Sequence, residues 1–145
     1  MRALAFGIAL FWATVAGAVD TPPSTKLPDL SQIRAQIYSG DYETALTGLA
    51  ELSQTVKHAD LYNLLGYTTR KLDRLEDSAR WYREALYYDP SHRGALEYQG
   101  ELFLQTGDLA GAKANLGMLD LFCPTGCPER DTLAKAIAAS EKPKG

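Results

Sequence analysis

The chain has 145 residues, with 15 Lys and Arg against 18 Asp and Glu and a formal net charge of −3. That mildly acidic balance contains no polybasic block and speaks against nucleic acid or an anionic membrane surface as a partner. Beyond the N-terminal segments about 117 residues remain, one domain's worth of chain.

Residues 1–18, MRALAFGIALFWATVAGA, read as a signal peptide. Arg2 supplies a short basic start, residues 3–15 an apolar stretch, and Ala16-Gly17-Ala18 a small-residue cleavage site. The apolar run is short for a membrane span, so cleavage after Ala18 is expected and not an uncleaved anchor. No cysteine lies near the start, so no lipid anchor is implied. The expected location is the periplasm, with no membrane insertion once the signal is removed. The mature chain keeps 14 Lys and Arg, because only Arg2 of the 15 is lost. Residues 19–28, with Thr21-Pro22-Pro23-Ser24, read as an extended linker: prolines resist helix and few large apolar residues are present to bury.

From residue 30 onward the pattern is helical, and no strand-like alternation interrupts it. A helix over 30–39 carries Ile33 and Ile37, and Gly40-Asp41 marks a turn. A helix over 42–54 places Ala45, Leu46, Leu49 and Leu52 on one face. Next come helices over 60–71, with Leu61, Leu64 and Leu65, and 75–88, stopped by Asp89-Pro90-Ser91. From Arg93 the pattern repeats, with a turn at Gly107-Asp108 and a helix over 109–122. A last helix over 129–140 starts beside Pro128, where a missing N–H costs nothing, and Glu129 and Asp131 suit its positive end. Leu133 and Ile137 give it a narrow apolar stripe.

In a 34-residue frame from Ala59, Tyr62 falls at position 4, Leu65 at 7, Gly66 at 8, Ser78 at 20, Tyr82 at 24, Ala85 at 27 and Pro90 at 32. Advancing by 34 places Leu96, Gly100, Phe103, Ala112, Leu116, Leu119 and Pro124 at positions 4, 8, 11, 20, 24, 27 and 32. This rhythm resembles the tetratricopeptide repeat (TPR), and its recurrence at a fixed period is the stronger part of the signal. Gly40-Asp41-x-x-x-Ala45 matches Gly107-Asp108-x-x-x-Ala112 and adds a degenerate first unit, one residue out of register, without the Leu-Gly pair or the terminal Pro.

The resemblance implies an all-α, TPR-type helical-hairpin solenoid. It would have about three repeats, over 26–58, 59–92 and 93–126, plus a capping helix over 129–140, within a domain spanning 29–141 and followed by a frayed tail over 142–145. Three units are about the fewest that bury a continuous core. Small residues at position 8 let the paired helices approach, so Gly66 and Gly100 are expected in equivalent surroundings. Gln99 stands at position 7, where Leu is expected; it loosens the third hairpin or faces a partner.

Family resemblance also places positions 2, 5, 9, 12 and 13 of each first helix on the concave face. Those are Leu30, Arg34, Ile37 and Tyr38 in the first unit, and Asp60, Asn63, Tyr67, Arg70 and Lys71 in the second. The third supplies Gly94, Glu97, Glu101, Leu104 and Gln105. Arg34, Asn63, Tyr67, Arg70, Glu97 and Glu101 are the candidate groove residues. For any one of them, a merely solvated helix face is the competing reading. The carboxylate-clamp TPRs carry Lys and Asn where this chain has Glu97 and Glu101. An extended segment with a basic residue over that Glu pair is therefore expected in place of a C-terminal carboxylate. Self-association through the weak first unit is a further arrangement. Trp81 and Tyr88 are expected in packing between repeats, and His58 and His92 in solvated loops.

Cys123 and Cys127 flank Pro124-Thr125-Gly126. In an oxidising compartment a structural disulfide is the simplest reading, contributing about 2 kcal/mol through a short closed loop. Two others stay open. Cys-x-x-x-Cys-Pro resembles the copper(I) motif of the Sco-type copper chaperones, with Met118 as a third soft ligand; a redox-active dithiol is the other. No nucleophile–base arrangement, phosphate-binding glycine loop or paired-His motif is present, so no enzyme and no cofactor are expected. The function expected is an exported adaptor that holds a protein or peptide segment in its groove.

Overall fold

The computed structural model describes residues 25–142. The signal segment 1–18, most of the 19–28 linker and the last three residues of the tail lie outside the described residues. Among the described residues there are seven helices and no β-strand. They are α1 Ser31–Ser39, α2 Tyr42–Thr55, α3 Ala59–Lys71, α4 Leu75–Tyr88, α5 Arg93–Gln105, α6 Leu109–Phe122 and α7 Pro128–Ser140. The fold is a TPR-type solenoid: hairpins α1–α2, α3–α4 and α5–α6 stack in chain order, and α7 lies against α5 and α6.

The same turn closes each hairpin. Asp41, Arg74 and Asp108 each donate an N–H back to a carbonyl five residues earlier, on Gln36, Thr69 and Phe103, at 2.9, 2.9 and 2.7 Å. The residue before each has positive φ: Gly40 at 81°, Asp73 at 59° and Gly107 at 85°. This six-to-one bond satisfies a carbonyl that the helix end leaves free, and it demands a left-handed residue. Glycine meets that demand without steric penalty; Asp73 does not.

The second helices of the first and third hairpins are capped by aspartate. Asp41 accepts from the Thr44 N–H at 3.3 Å, and Asp108 from the Gly111 N–H at 2.8 Å. The first helices of the second and third hairpins are capped by histidine. His58 Nδ1 accepts from the Asp60 N–H at 3.1 Å, and His92 Nδ1 from the Ala95 N–H at 3.0 Å. These bonds put the proton of each ring on Nε2, and that of His92 meets Asp60 Oδ1 at 2.8 Å. The histidines are thus structural and not solvated loop residues, because the free N–H groups of a helix start need an acceptor.

One core cluster joins Leu49, Leu61, Tyr62, Leu64, Leu65, Ala85 and Ala95 across the first two hairpins and the start of the third. A second joins Leu96, Ala112, Leu119, Leu133 and Ile137, with Cys123 and Cys127. Burying one such leucine contributes about 1.5–3 kcal/mol. Leu30, expected in the groove, is only 4% exposed and belongs to the first cluster, since it precedes α1 and turns inward. Helix α1 itself buries no residue.

Gly66 and Gly100 are both tightly enclosed, but not by equivalent neighbours. A Cβ on Gly66 would lie 2.5 Å from the Tyr82 ring, at position 24 of its own hairpin. One on Gly100 would lie 2.6 Å from the methyls of Leu133, on α7. The expectation of equivalence fails because position 24 of the third hairpin carries Leu116, shorter than tyrosine, and α7 fills the space. Gln99 neither loosens its hairpin nor faces outward. It is buried, and its Oε1 accepts from Asn115 Nδ2 at 3.0 Å, while the same amide also donates to the Leu96 carbonyl. Trp81 and Tyr88 stack on Tyr62 of their own hairpin, at 5.8 and 5.4 Å, and Trp81 also packs against the core cluster shared with the first hairpin.

Candidate binding groove

Stacking the hairpins brings α1, α3 and α5 side by side, and an open cleft of about 340 Å³ forms across them. Its lining is Arg34, Ile37 and Tyr38 from α1, Leu64 and Tyr67 from α3, and Tyr98 from α5. Tyr38 is 97% exposed on the rim, although its ring is large and apolar. Tyr67 and Tyr98 meet across the two hairpins with ring centroids 5.0 Å apart and planes tilted by 53°. Tilted pairs of this kind favour a fixed ring arrangement. A wider depression of about 560 Å³ lies along α1 and α2, lined by Gln32, Glu43, Thr47 and Glu51 among others. It is confined to one hairpin and its lining, which includes Ile33 and Leu52, holds no aromatic ring, so the tyrosine cleft is the better place for a bulky apolar side chain.

Charge is graded across this face. The Arg70 guanidinium lies 5.9 Å from the centroids of both Tyr67 and Tyr98, and the Lys71 ammonium 5.3 Å from that of Tyr67. Cations over aromatic faces are stabilised there. Arg70 also pairs with Glu101 at 2.5 Å, linking the second and third hairpins. Glu97 has no ion pair among the described residues. Burial, then the Glu101 and Glu129 carboxylates, push its carboxyl up to about 7, with Arg70 opposing. Burial also raises the Tyr98 hydroxyl, and the nearby Glu97 adds to that effect.

The six groove candidates therefore divide. Arg34 and Tyr67 line the cleft, and Glu97 stands beside Tyr98 in the chain. Arg70 and Glu101 neutralise each other, so the Glu pair expected to meet a partner's cation is reduced to Glu97. Asn63 is only 8% exposed, wedged between α3 and α5, where its amide nitrogen lies 3.3 Å from the place a Cβ on Gly94 would take. It is not an open groove side chain. Tyr98 and Leu64, outside the six candidates, also line the cleft; both stand at position 6 of the repeat frame, and that shared position is the signal that marks them. Glu129, from the capping helix, was missed because α7 has no place in the 34-residue frame.

Cys123 and Cys127 are bonded to each other, with Cα atoms 5.9 Å apart, and both are buried in the second core cluster. The bridge ties the end of α6 to the start of α7. In that state neither sulfur is the thiolate that copper(I) or redox exchange requires. Met118 is partly exposed on α6 and is not one of that cluster.

No protein-family model matches the chain, and no curated protein matches it. Among solved structures, the chain is similar to the crystal structure of PcrH in complex with the chaperone binding region of PopD. The TM-score is 0.64 at 22% identity, covering 77% of this chain and 88% of that one. This likeness shows an all-α helical-repeat fold.

Proposed function

We propose that this protein is an exported, non-enzymatic adaptor of the tetratricopeptide family that holds a segment of a partner protein in the cleft across α1, α3 and α5. The observation that carries the reading is that cleft, roofless and lined by tyrosines, with Tyr38 almost fully exposed on its rim. Exposed aromatics around a concave apolar site are what peptide-binding surfaces use as anchors. The similar structure of PcrH is of a complex with a chaperone binding region of PopD, which is consistent with a helical repeat of this size holding a protein segment. The signal-peptide pattern at 1–18 and the Cys123–Cys127 bridge support a periplasmic setting, where disulfides persist.

The test is affinity capture from a periplasmic extract with wild type, Tyr67→Ala/Tyr98→Ala and Tyr87→Ala. A partner kept by wild type and Tyr87→Ala but lost with the double variant is the expected result, provided all three melt as cooperative folds. Equal recovery by all three would overturn the groove. N-terminal sequencing of the protein from cells is expected to begin at Val19; a start at Met1 would overturn export with cleavage.

A further inference from the structure

The tyrosine cleft and the uncompensated carboxylate lie next to each other, because Tyr98 and Glu97 are adjacent on α5. On the α1 side of the cleft is the cation Arg34, and over Tyr67 the cation Lys71, neither held by a carboxylate among the described residues. Toward α7, Glu97 is half-buried near Glu101 and Glu129, and the single nearby cation, Arg70, is already committed to Glu101. A lone carboxylate held partly out of water beside two others is an unfavourable arrangement unless a cation or a proton joins it. Arg34 and Tyr38 make no ion pair or ring contact among the described residues.

We infer that the groove takes an extended segment that places one bulky apolar side chain among Tyr38, Tyr67 and Tyr98 and, about three residues further along, a lysine or arginine against Glu97 and Glu129. The spacing is one helix-to-helix step, from Leu64 and Tyr67 on α3 to Glu97 on α5. Adjacent packed helices lie about 8–10 Å apart, and an extended chain advances about 3.3–3.6 Å per residue. The apolar anchor supplies contact area, and the cation supplies the direction in which the segment lies, because reversing it would bring that cation against Arg34 and Lys71. The inference rests on the groove reading above and adds the chemistry of the occupant. Protonation of Glu97 below neutral pH removes the countercharge, so the segment is released as pH falls.

Selection from a displayed library of random nine-residue peptides separates the two readings. The baits are wild type, Tyr67→Ala/Tyr98→Ala and Glu97→Gln, each checked for a cooperative melt. The expected outcome is enrichment on wild type of peptides with a large apolar residue and a Lys or Arg about three positions away. The enriched peptide, synthesised, is expected to bind Glu97→Gln about tenfold more weakly and to lose affinity between pH 8 and pH 6. Replacing its Lys by Glu abolishes binding to wild type. Enrichment of neutral or acidic peptides that require Tyr67 and Tyr98 would overturn this inference while leaving the groove intact. No enrichment over the double tyrosine variant would overturn both.

Discussion

Hairpin α3–α4 closes on itself, whereas hairpin α5–α6 is closed by its neighbour. In the former, Tyr82 fills the space above Gly66, and the Ser78 hydroxyl donates to the Gly66 carbonyl at 2.7 Å, stitching the two helices at their narrowest point. In the latter the matching positions carry Leu116 and Ala112, which offer neither the ring nor the hydroxyl. A buried amide pair, Gln99 and Asn115, holds the helices instead, and Leu133 of α7 covers Gly100. A shared repeat frame therefore fixes where two helices approach, but not which element completes the contact. The terminal hairpin borrows its last layer from α7, which the bridge at Cys123–Cys127 and the Arg130–Asp120 and Lys113–Glu141 pairs keep in place.

The largest effect should come from removing the borrowed layer. Leu133 is fully buried, so Leu133→Ala is expected to cost about 2–5 kcal/mol in urea unfolding. Hydrogen exchange should show that loss concentrated in α5 and α7, with α3 and α4 protected. Uniform loss of protection would mean that the hairpins do not differ as described.

Adding a methyl to each glycine sharpens the contrast. Gly66→Ala meets an aromatic ring, which cannot bend away, and is expected to destabilise by about 1–3 kcal/mol. Gly100→Ala meets the terminal methyls of Leu133, which can rotate, and the gain in helix propensity, about 1 kcal/mol, offsets part of the clash. Gly66→Ala should therefore have the lower midpoint in a chemical melt; the reverse order would contradict the packing.

Smaller still is the turn between α3 and α4. Asp73 stands at φ 59° where the other two hairpins use glycine. Asp73→Gly is expected to relieve that strain and raise stability by a few tenths to about 1 kcal/mol, despite the added freedom of the unfolded chain. A fall in melting temperature would show that aspartate is favoured there.

The finest test is pH. Glu97 has a folded pKa raised to about 7 from 4.5, so folding favours its protonated form. Its contribution is fully present below about 4.5 and is lost as pH rises through about 7. Glu97→Gln should remove that slope and match acidified wild type at neutral pH, read from melts across pH 4.5–8. An unchanged slope would place the titration elsewhere.

Much of this architecture was legible in the chain because the constraint is local. Small and bulky residues recur in step, and helices α4 and α6 occupy the spans their apolar spacing marks. Contacts between repeats were harder to read. Tyr67 and Tyr98 sit at different frame positions, 9 and 6, so no periodic pattern pairs them. Gln99 looks like a defect until Asn115 is found 16 residues away to satisfy it. The histidine caps share frame positions, but a lone His before a helix carries no signal as specific as Asp or Ser. The cap helix α7 stands outside the repeat, so its Leu133 and Glu129 have no frame to be read against.

The account turns on which face meets the partner, and site-specific photo-crosslinking in cells addresses that directly. A photoreactive phenylalanine analogue placed at Tyr38 or Tyr98 samples the cleft, and at Tyr87 or Leu121 the exposed ends of the second helices. The account predicts one discrete crosslinked species from the cleft positions, mapping to a single partner segment, and none in common from the other two. The same partner captured equally from Tyr87 and Leu121, with nothing from Tyr38 or Tyr98, would contradict it.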